Sequence, residues 1–229
     1  MTLANLRKLT RAMTPGAKSS GTIDDPTLDL ILNKGVDDIA AYTLCLKANK
    51  KFNVVASDGE YDLSIVIADY LGVDKSGLWW YQGTQWKQLN ARTLQWLDQN
   101  RPTWRNLSAG SPQDYSIDGD ILTVVPKPQT ALSEGFHLYY GKKPNPMSAE
   151  NHYPFSGTTV EFTHLSMFDM SIIKYAKWVI EPMLNKNQDA NLSYQEYIRE
   201  REEKKNLFYQ RKDIANSNDT RLSGPIIRA

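Results

Sequence analysis

One cysteine among 229 residues closes off two broad classes of protein. Cys45 has no partner for an intramolecular disulfide and cannot build a multi-cysteine zinc site, and a chain so poor in thiols suits a reducing compartment. Histidine is nearly as scarce, present only as His137, His152 and His164. None of the three has a second histidine or a carboxylate at ligand spacing on one helix face, so no metal centre is expected. No apolar run reaches the ~20 residues of a membrane span, and the first residues lack the apolar stretch of a secretory signal. The net charge is +1, so the chain as a whole has no pull toward nucleic acid or an anionic membrane. The common catalytic signatures are missing too: there is no G-x-S-x-G, no phosphate-cradling glycine loop and no dinucleotide fingerprint. Asp118 and Asp120 flank Gly119 and are accounted for by turn chemistry. Cys45 lies between Leu44 and Leu46 and reads as a buried, inert thiol. No catalytic residue and no cofactor are expected.

What is present is a change of texture along the chain. Residues 1–23 read as a basic arm with Arg7, Lys8, Arg11 and Lys18 and no acid before Asp24. Asp25 then suits a helix cap and Pro26 the first helical position. Leu28, Ile31, Leu32, Val36, Ile39, Tyr42 and Leu46 recur at helical spacing, which predicts a helix ending near Ala48. Gly35 costs that helix about 1 kcal/mol against alanine, a cost that a close helix neighbour would explain. From Phe52 to about Met147 short apolar runs alternate with turn pairs such as Asp58-Gly59, Ser76-Gly77, Asp118-Gly119 and Glu134-Gly135, the punctuation of antiparallel strands. Ser116 to Val125 reads as a hairpin whose Asp118-Gly119 turn holds both residues at positive φ. Ala91 to Gln99 reads as a short helix with Leu94 and Leu97 as its apolar contacts.

Helical period returns after Glu161, with Leu165, Phe168, Ile172, Ala176, Val179 and Met183 on one stripe and Pro182 near its end. Ser193-Tyr194-Gln195-Glu196 reads as a capping box opening one more helix. The expected fold class is α+β: a three-helix unit with an antiparallel β-rich insertion between the first and second long helices. The expected segments are a basic arm over 1–23, a helical domain over 24–51 and 161–215, a β-rich insertion over 52–160, and a polar tail over 216–229.

Two features invite a functional reading. Trp79, Trp80, Tyr81, Trp86, Trp96 and Trp104 cluster in the β block. They fill a thin core and meet a neighbouring subunit, or they form a glycan platform. Adjacent rings in Trp79-Trp80-Tyr81 point to opposite faces of a strand, so one face can be core while the other meets a partner. The helix after Ser193 carries Arg199, Arg201, Lys204 and Lys205 among nearly as many acids. It is a solvated helix with i,i+4 pairs such as Glu200 with Lys204, or it lines a channel or subunit seam.

Three stretches resemble the head-to-tail adaptor, or connector, proteins of tailed bacteriophages. They are Trp104-Arg105-Asn106, the run from Gly110-Ser111-Pro112 through Asp118-Gly119 to Pro126-Lys127-Pro128, and Leu138-Tyr139-Tyr140 with Pro144. Glu60-Tyr61-Asp62-Leu63 is similar to the family as well. The resemblance covers roughly Thr27 to Tyr209 and implies a ring of about twelve copies closed by a heterologous interface beneath a portal protein. It implies a virion neck location after synthesis in the host bacterial cytoplasm, a tail nozzle or other tail protein below the ring, and passing contact with DNA in the bore. It also implies that the C-terminal tail docks on the portal through Arg221, Leu222, Pro225, Ile226, Ile227 and Arg228. Trp79, Trp80, Tyr81 and Trp86 are then candidates for subunit or tail-protein contact, and the four bases of the last helix for the channel or seam. The alternative is a glycan-binding module of a phage tail or surface protein.

Overall fold

The computed structural model describes residues 1–14, 16–17 and 23–220, with 211–220 as backbone alone. In chain order its elements are α1 (Leu3–Met13), α2 (Asp25–Thr43), β1 (Lys47–Val54), β2 (Glu60–Asp62), α3 (Leu63–Val66), β3 (Tyr70–Tyr81), β4 (Trp86–Gln88) and β5 (Asn90–Ala91). Then follow α4 (Leu94–Asn100), β6 (Asp114–Asp118), β7 (Ile121–Val125), β8 (Leu132–Lys142), α5 (Asp169–Met183) and α6 (Asn187–Thr220). Two compact units emerge: a helical one, Met1–Thr43 with the chain from Pro144, and a β-rich one, Leu44–Lys143. The fold is α+β, with the strand block between the early helices and the later ones.

The helical unit departs from the sequence reading at its start. Residues 3–13 are a helix, not an arm, because Leu3, Leu6 and Thr10 share one face and all three are buried. The N–H groups of Leu3 and Ala4 donate to the carbonyls of His152 and Glu150 at 2.9 and 3.1 Å, which satisfies two donors that a helix start leaves open. Arg7 grips Asp29 with two hydrogen bonds of 2.5 Å, and Arg11 reaches Asp25 at 2.7 Å. These bases therefore tie α1 to α2. The cap of α2 is Asp24, one residue before the expected one: its Oδ1 accepts from the Thr27 N–H at 3.0 Å.

The end of α2 also falls early, at Thr43. The Thr43 hydroxyl donates back to the Ile39 carbonyl at 2.7 Å, and Leu44 turns the chain at φ 46°. Lys47 onward then pairs with β8, gaining a sheet ladder that a longer helix would forfeit. Consequently the units meet at Thr43/Leu44 and Lys143/Pro144, not at the expected 51/52 and 160/161. Asn33 on α2 holds the segment after Pro144, accepting from the Met147 N–H at 2.8 Å and donating to its carbonyl at 3.1 Å.

Along α5 the expected stripe holds through Leu165, Phe168, Ile172 and Ala176, then moves to Ile173 and Ile180, leaving Met183 exposed. Thr163–Phe168 is a 3₁₀ turn, and three residues per turn shift the phase on entry to α5. Asn185 at φ 59° closes α5, and α6 opens at Asn187. Ser193 is therefore buried inside α6 and caps nothing, which overturns the capping box. Gly35 does have its close neighbour: a Cβ there would lie 3.0 Å from Cδ1 and 3.2 Å from Cγ of the Tyr175 ring on α5.

The β-rich unit stacks two four-stranded sheets, ordered β1-β8-β3-β4 and β2-β7-β6-β5. Pairing is antiparallel except between β5 and β6. Both sheets feed one core, centred on Phe136, whose ring lies 5.4 Å from Phe52, 5.4 Å from Tyr61 and 5.3 Å from Trp80. The β6–β7 hairpin is present, but its turn residues are Gly119 and Asp120, with Asp118 paired to Ile121. Only Gly119 has positive φ, the pattern of a type II′ turn, which puts glycine first. The short helix α4 buries Leu97 as expected.

The packing of α2 on α5 gives a direct test. Gly35→Val is expected to lower stability by about 1–3 kcal/mol, because the Tyr175 ring already fills the space a side chain needs. Urea unfolding of the variant and the wild type measures it.

Candidate interaction surface

Strand alternation sorts the aromatic cluster. On β8, Phe136, Leu138 and Tyr140 face the core, so His137 and Tyr139 face away from it. Register carries that division to the neighbours: Trp80 pairs with Phe136, and Trp79 with His137. Lys51 pairs with His137, Asn49 with Tyr139, and Trp86 with Tyr81. The outer face of the first sheet therefore holds a run of rings. Centroids lie 4.5 Å apart for Tyr139–His137, 5.5 Å for His137–Trp86 and 5.2 Å for Trp86–Tyr81. All of these rings are half-buried, as is Trp79, whose indole N–H donates to the Ser76 carbonyl at 2.8 Å.

The expectation for Trp80 is corrected. At 5% exposure it belongs to the core, and only its edge reaches a groove beside Tyr81 and Ser111. Trp79, Tyr81 and Trp86 remain on the outward face, joined by His137 and Tyr139, which the sequence reading did not assign to a contact face. Their signal was the alternation in Phe136-His137-Leu138-Tyr139-Tyr140. The Lys51 ammonium sits 5.5 Å from the Trp86 centroid. Burial and Lys51 push the His137 imidazole below its ordinary value, which favours the neutral ring at neutral pH; its Nε2 lies 3.0 Å from Asn49 Oδ1. Trp96 and Trp104 are spoken for, with Arg92 stacked on the first at 4.2 Å and Arg105 on the second at 4.3 Å.

The charged helix α6 is knit into its own unit. Arg201 donates to Asp38 at 2.7 Å, and its guanidinium lies 3.7 Å from the Tyr42 centroid. The Tyr197 hydroxyl donates to the same carboxylate; burial and that bond push its pKa up. Lys205 covers the Tyr42 ring at 4.0 Å. Glu200 takes Lys174 at 2.9 Å and Lys204 at 3.5 Å. Of the four bases proposed for a channel or seam, Arg201, Lys204 and Lys205 are engaged here and half-buried, while Arg199 is exposed. The lack of apolar residues does not keep this stretch out of the packing, because cations over tyrosine rings and paired carboxylates replace aliphatic contacts. The signal lay in two i,i+4 pairs, Asp38 with Tyr42 and Tyr197 with Arg201.

The deeply buried Asp114 is enclosed similarly, with Arg101 at 3.0 Å and Arg92 at 3.5 Å. It anchors α4 to β6. Among the described residues no three of His, Cys, Asp or Glu gather where they could hold a metal ion. No helix among them is long and apolar enough to cross a membrane. The proposed portal-docking residues Arg221, Leu222, Pro225, Ile226, Ile227 and Arg228 lie outside the described residues.

Two measurements test the α6 contacts. Arg201→Ala is expected to cost about 1.5–3 kcal/mol in urea unfolding, since it strips a charged partner from Asp38 and uncovers Tyr42. Arg199→Ala should stay within about 0.5 kcal/mol of wild type. For Glu200, burial pushes the carboxyl up, but Lys174 and Lys204 outweigh it and hold it below the ordinary glutamate value. Its contribution is thus fully present above the unfolded-state pKa and is lost as pH falls through the lower folded-state value. Glu200→Gln should be less stable than wild type near neutral pH, and the gap should close on acidification through that window.

The sequence matches no protein-family model and no curated protein, so its function has to come from the chain's own residues and surfaces.

Proposed function

We propose that the protein is a structural part of a tailed-phage particle, a head-to-tail adaptor that assembles as a ring between the portal and the tail around the DNA channel. One observation carries this reading: the segment from Trp104 to Pro144, which resembles the adaptors, supplies the β6–β7 hairpin and the central strand of a β unit set into a helical unit. The strand block lies between early and later helices, as the resemblance expects, although two helices, α1 and α2, precede it where the resemblance has one. The half-exposed rings of Trp79, Tyr81, Trp86, His137 and Tyr139 add support, because aromatic side chains supply most of the binding energy where proteins meet.

In this role nothing is catalysed. The helical unit builds the wall, the β unit offers a contact face, and α6 leads at Thr220 into the tail that is to dock on the portal. A segment that orders only on binding can wrap a partner, and many weak tails around a ring act together through effective concentration.

A second reading keeps one foothold. A groove of about 320 Å³ lies beside Tyr81, Gln82, Ser111, Gln129 and Thr130, with no charged residue in its lining. Amide and hydroxyl groups beside a ring suit a neutral glycan.

The deciding measurement is the mass of the protein in solution, alone and mixed with portal rings. The adaptor reading expects stoichiometric rings on the portal, and a chain ending at Arg221 should dock more weakly with its melting transition unchanged. A protein that ignores portals and gives a glycan-array signal lost on Tyr81→Ala would replace it with the second reading.

A further inference from the structure

The two sheets of the β unit carry opposite charge. The strands of the first hold Lys47, Lys50, Lys51, Lys75, Lys87 and Lys142 against Asp74 and Glu134. Those of the second hold Glu60, Asp62, Asp114 and Asp118 and no base at all. Lys47 is paired with Asp74, and Asp114 with its two arginines. By register Lys50, Lys87 and Lys142 share the side of Leu138, Trp80 and Tyr70, so the outer face keeps an aromatic run with exposed Lys51 over Trp86.

The second sheet has a matching feature at the end of β7. Ile121 is 40% exposed, and register places Asp62 beside it on one neighbouring strand and Asp118 on the other. Paired residues point to the same side of a sheet, so two carboxylates flank one bare aliphatic side chain. Asp120 is exposed in the adjoining turn, and Ile65, just beyond Asp62, is 81% exposed. Nearby bases Lys127 and Arg105 line a separate cavity with Glu60, and Arg105 is paired with Asp98. The outer faces lie on opposite sides of a shared core.

We propose that these are the two halves of one contact between copies of this chain: the aromatic, lysine-bearing face of the first sheet receives the aspartate-flanked Ile121 end of the second sheet of the next copy. Each half supplies apolar area of a different kind and charge of opposite sign, so neither half is complementary to itself. A contact between two different faces is heterologous, and copies repeat head to tail until the rotation closes a ring or the chain of copies runs on. The proposal deepens the ring reading above and rests on it. It assigns Trp86, Tyr81 and Lys51 to one side, and Asp118 and Ile121 to the other.

The test uses full-length chains in sedimentation experiments at rising concentration. One variant carries Lys51→Ala with Trp86→Ala; the other carries Asp118→Lys with Ile121→Lys. Asp62 is left alone because it caps α3 through Ser64. Circular dichroism and melting first establish that both variants fold as the wild type does. Wild type should self-associate, and each variant alone should do so at least about tenfold more weakly. Mixed together, the variants should form one-to-one pairs that grow no further, because each still holds the intact face that the other lacks. A wild-type chain that stays monomeric at the highest soluble concentration, or self-association unmoved by either pair of substitutions, would overturn the proposal. Portal rings added to the same samples separate this contact from the adaptor role. Normal rings from both variants would sink the contact and leave the adaptor reading standing; face-dependent pairing in a protein that ignores portals would do the reverse.

Discussion

The packing of Phe136 between Phe52, Tyr61 and Trp80 is the constraint on which the β unit depends. It fixes which side of β8 faces the core, and because strand neighbours alternate, it fixes the other side too. Phe136, Leu138 and Tyr140 cannot turn inward without His137 and Tyr139 turning outward. Register then commits Trp80 to the core and Trp79 to the surface, with Lys51 and Trp86 on the surface side. A slip of one residue would exchange the two sets and bury a lysine, which is why the register is tightly specified. Core and candidate contact face are two consequences of one strand.

The helical unit is held by a different economy of forces. Glycine at position 35 lets α2 approach the Tyr175 ring closely. Around that contact, charge stands in for aliphatic packing: Arg7 and Arg11 fasten α1 to α2, Arg201 fastens α6 to α2, and Glu200 with Lys174 fastens α6 to α5. Stacking the Arg201 guanidinium on Tyr42 while it bonds Asp38 uses both the flat face and the edge of one group. Such contacts let a helix with almost no apolar stripe pack on its neighbours. They also leave Arg201, Lys204 and Lys205 paired or stacked within the unit.

Much of this was legible in the sequence and some was not, for physical reasons. The α+β class, the hairpin at Gly119, the helix around Leu97 and the neighbour of Gly35 all follow from local period and turn chemistry. Trp79-Trp80-Tyr81 declares two faces, but which one is core depends on Phe136 across the strand gap, a non-local fact. Residues 3–13 hide a helix because its apolar face is only Leu3, Leu6 and Thr10, amid bases whose carboxylate partners lie on another helix. The Ser193 box misleads because α6 gains more by starting at Asn187, where Asn185 has already turned the chain. Thr43 ends α2 early because the strand that follows finds its partner some ninety residues on, in β8.

Lysines on the first sheet have a plain explanation that must be set against the interface. β1 and β4 are edge strands, and lysine there discourages unwanted strand addition, as does the shortness of β4. Gatekeeping accounts for Lys50, Lys51 and Lys87. It does not account for rings on the outward side of β8 and β3, which are inner strands with both edges already paired. Nor does it account for an exposed isoleucine set between two carboxylates on the opposite sheet. Apolar groups kept at the surface beside charges of one sign stay soluble alone and lose their hydration only against a face of the other sign. Two such faces of opposite sign, one on each side of the same small unit, favour association in one direction over self-pairing.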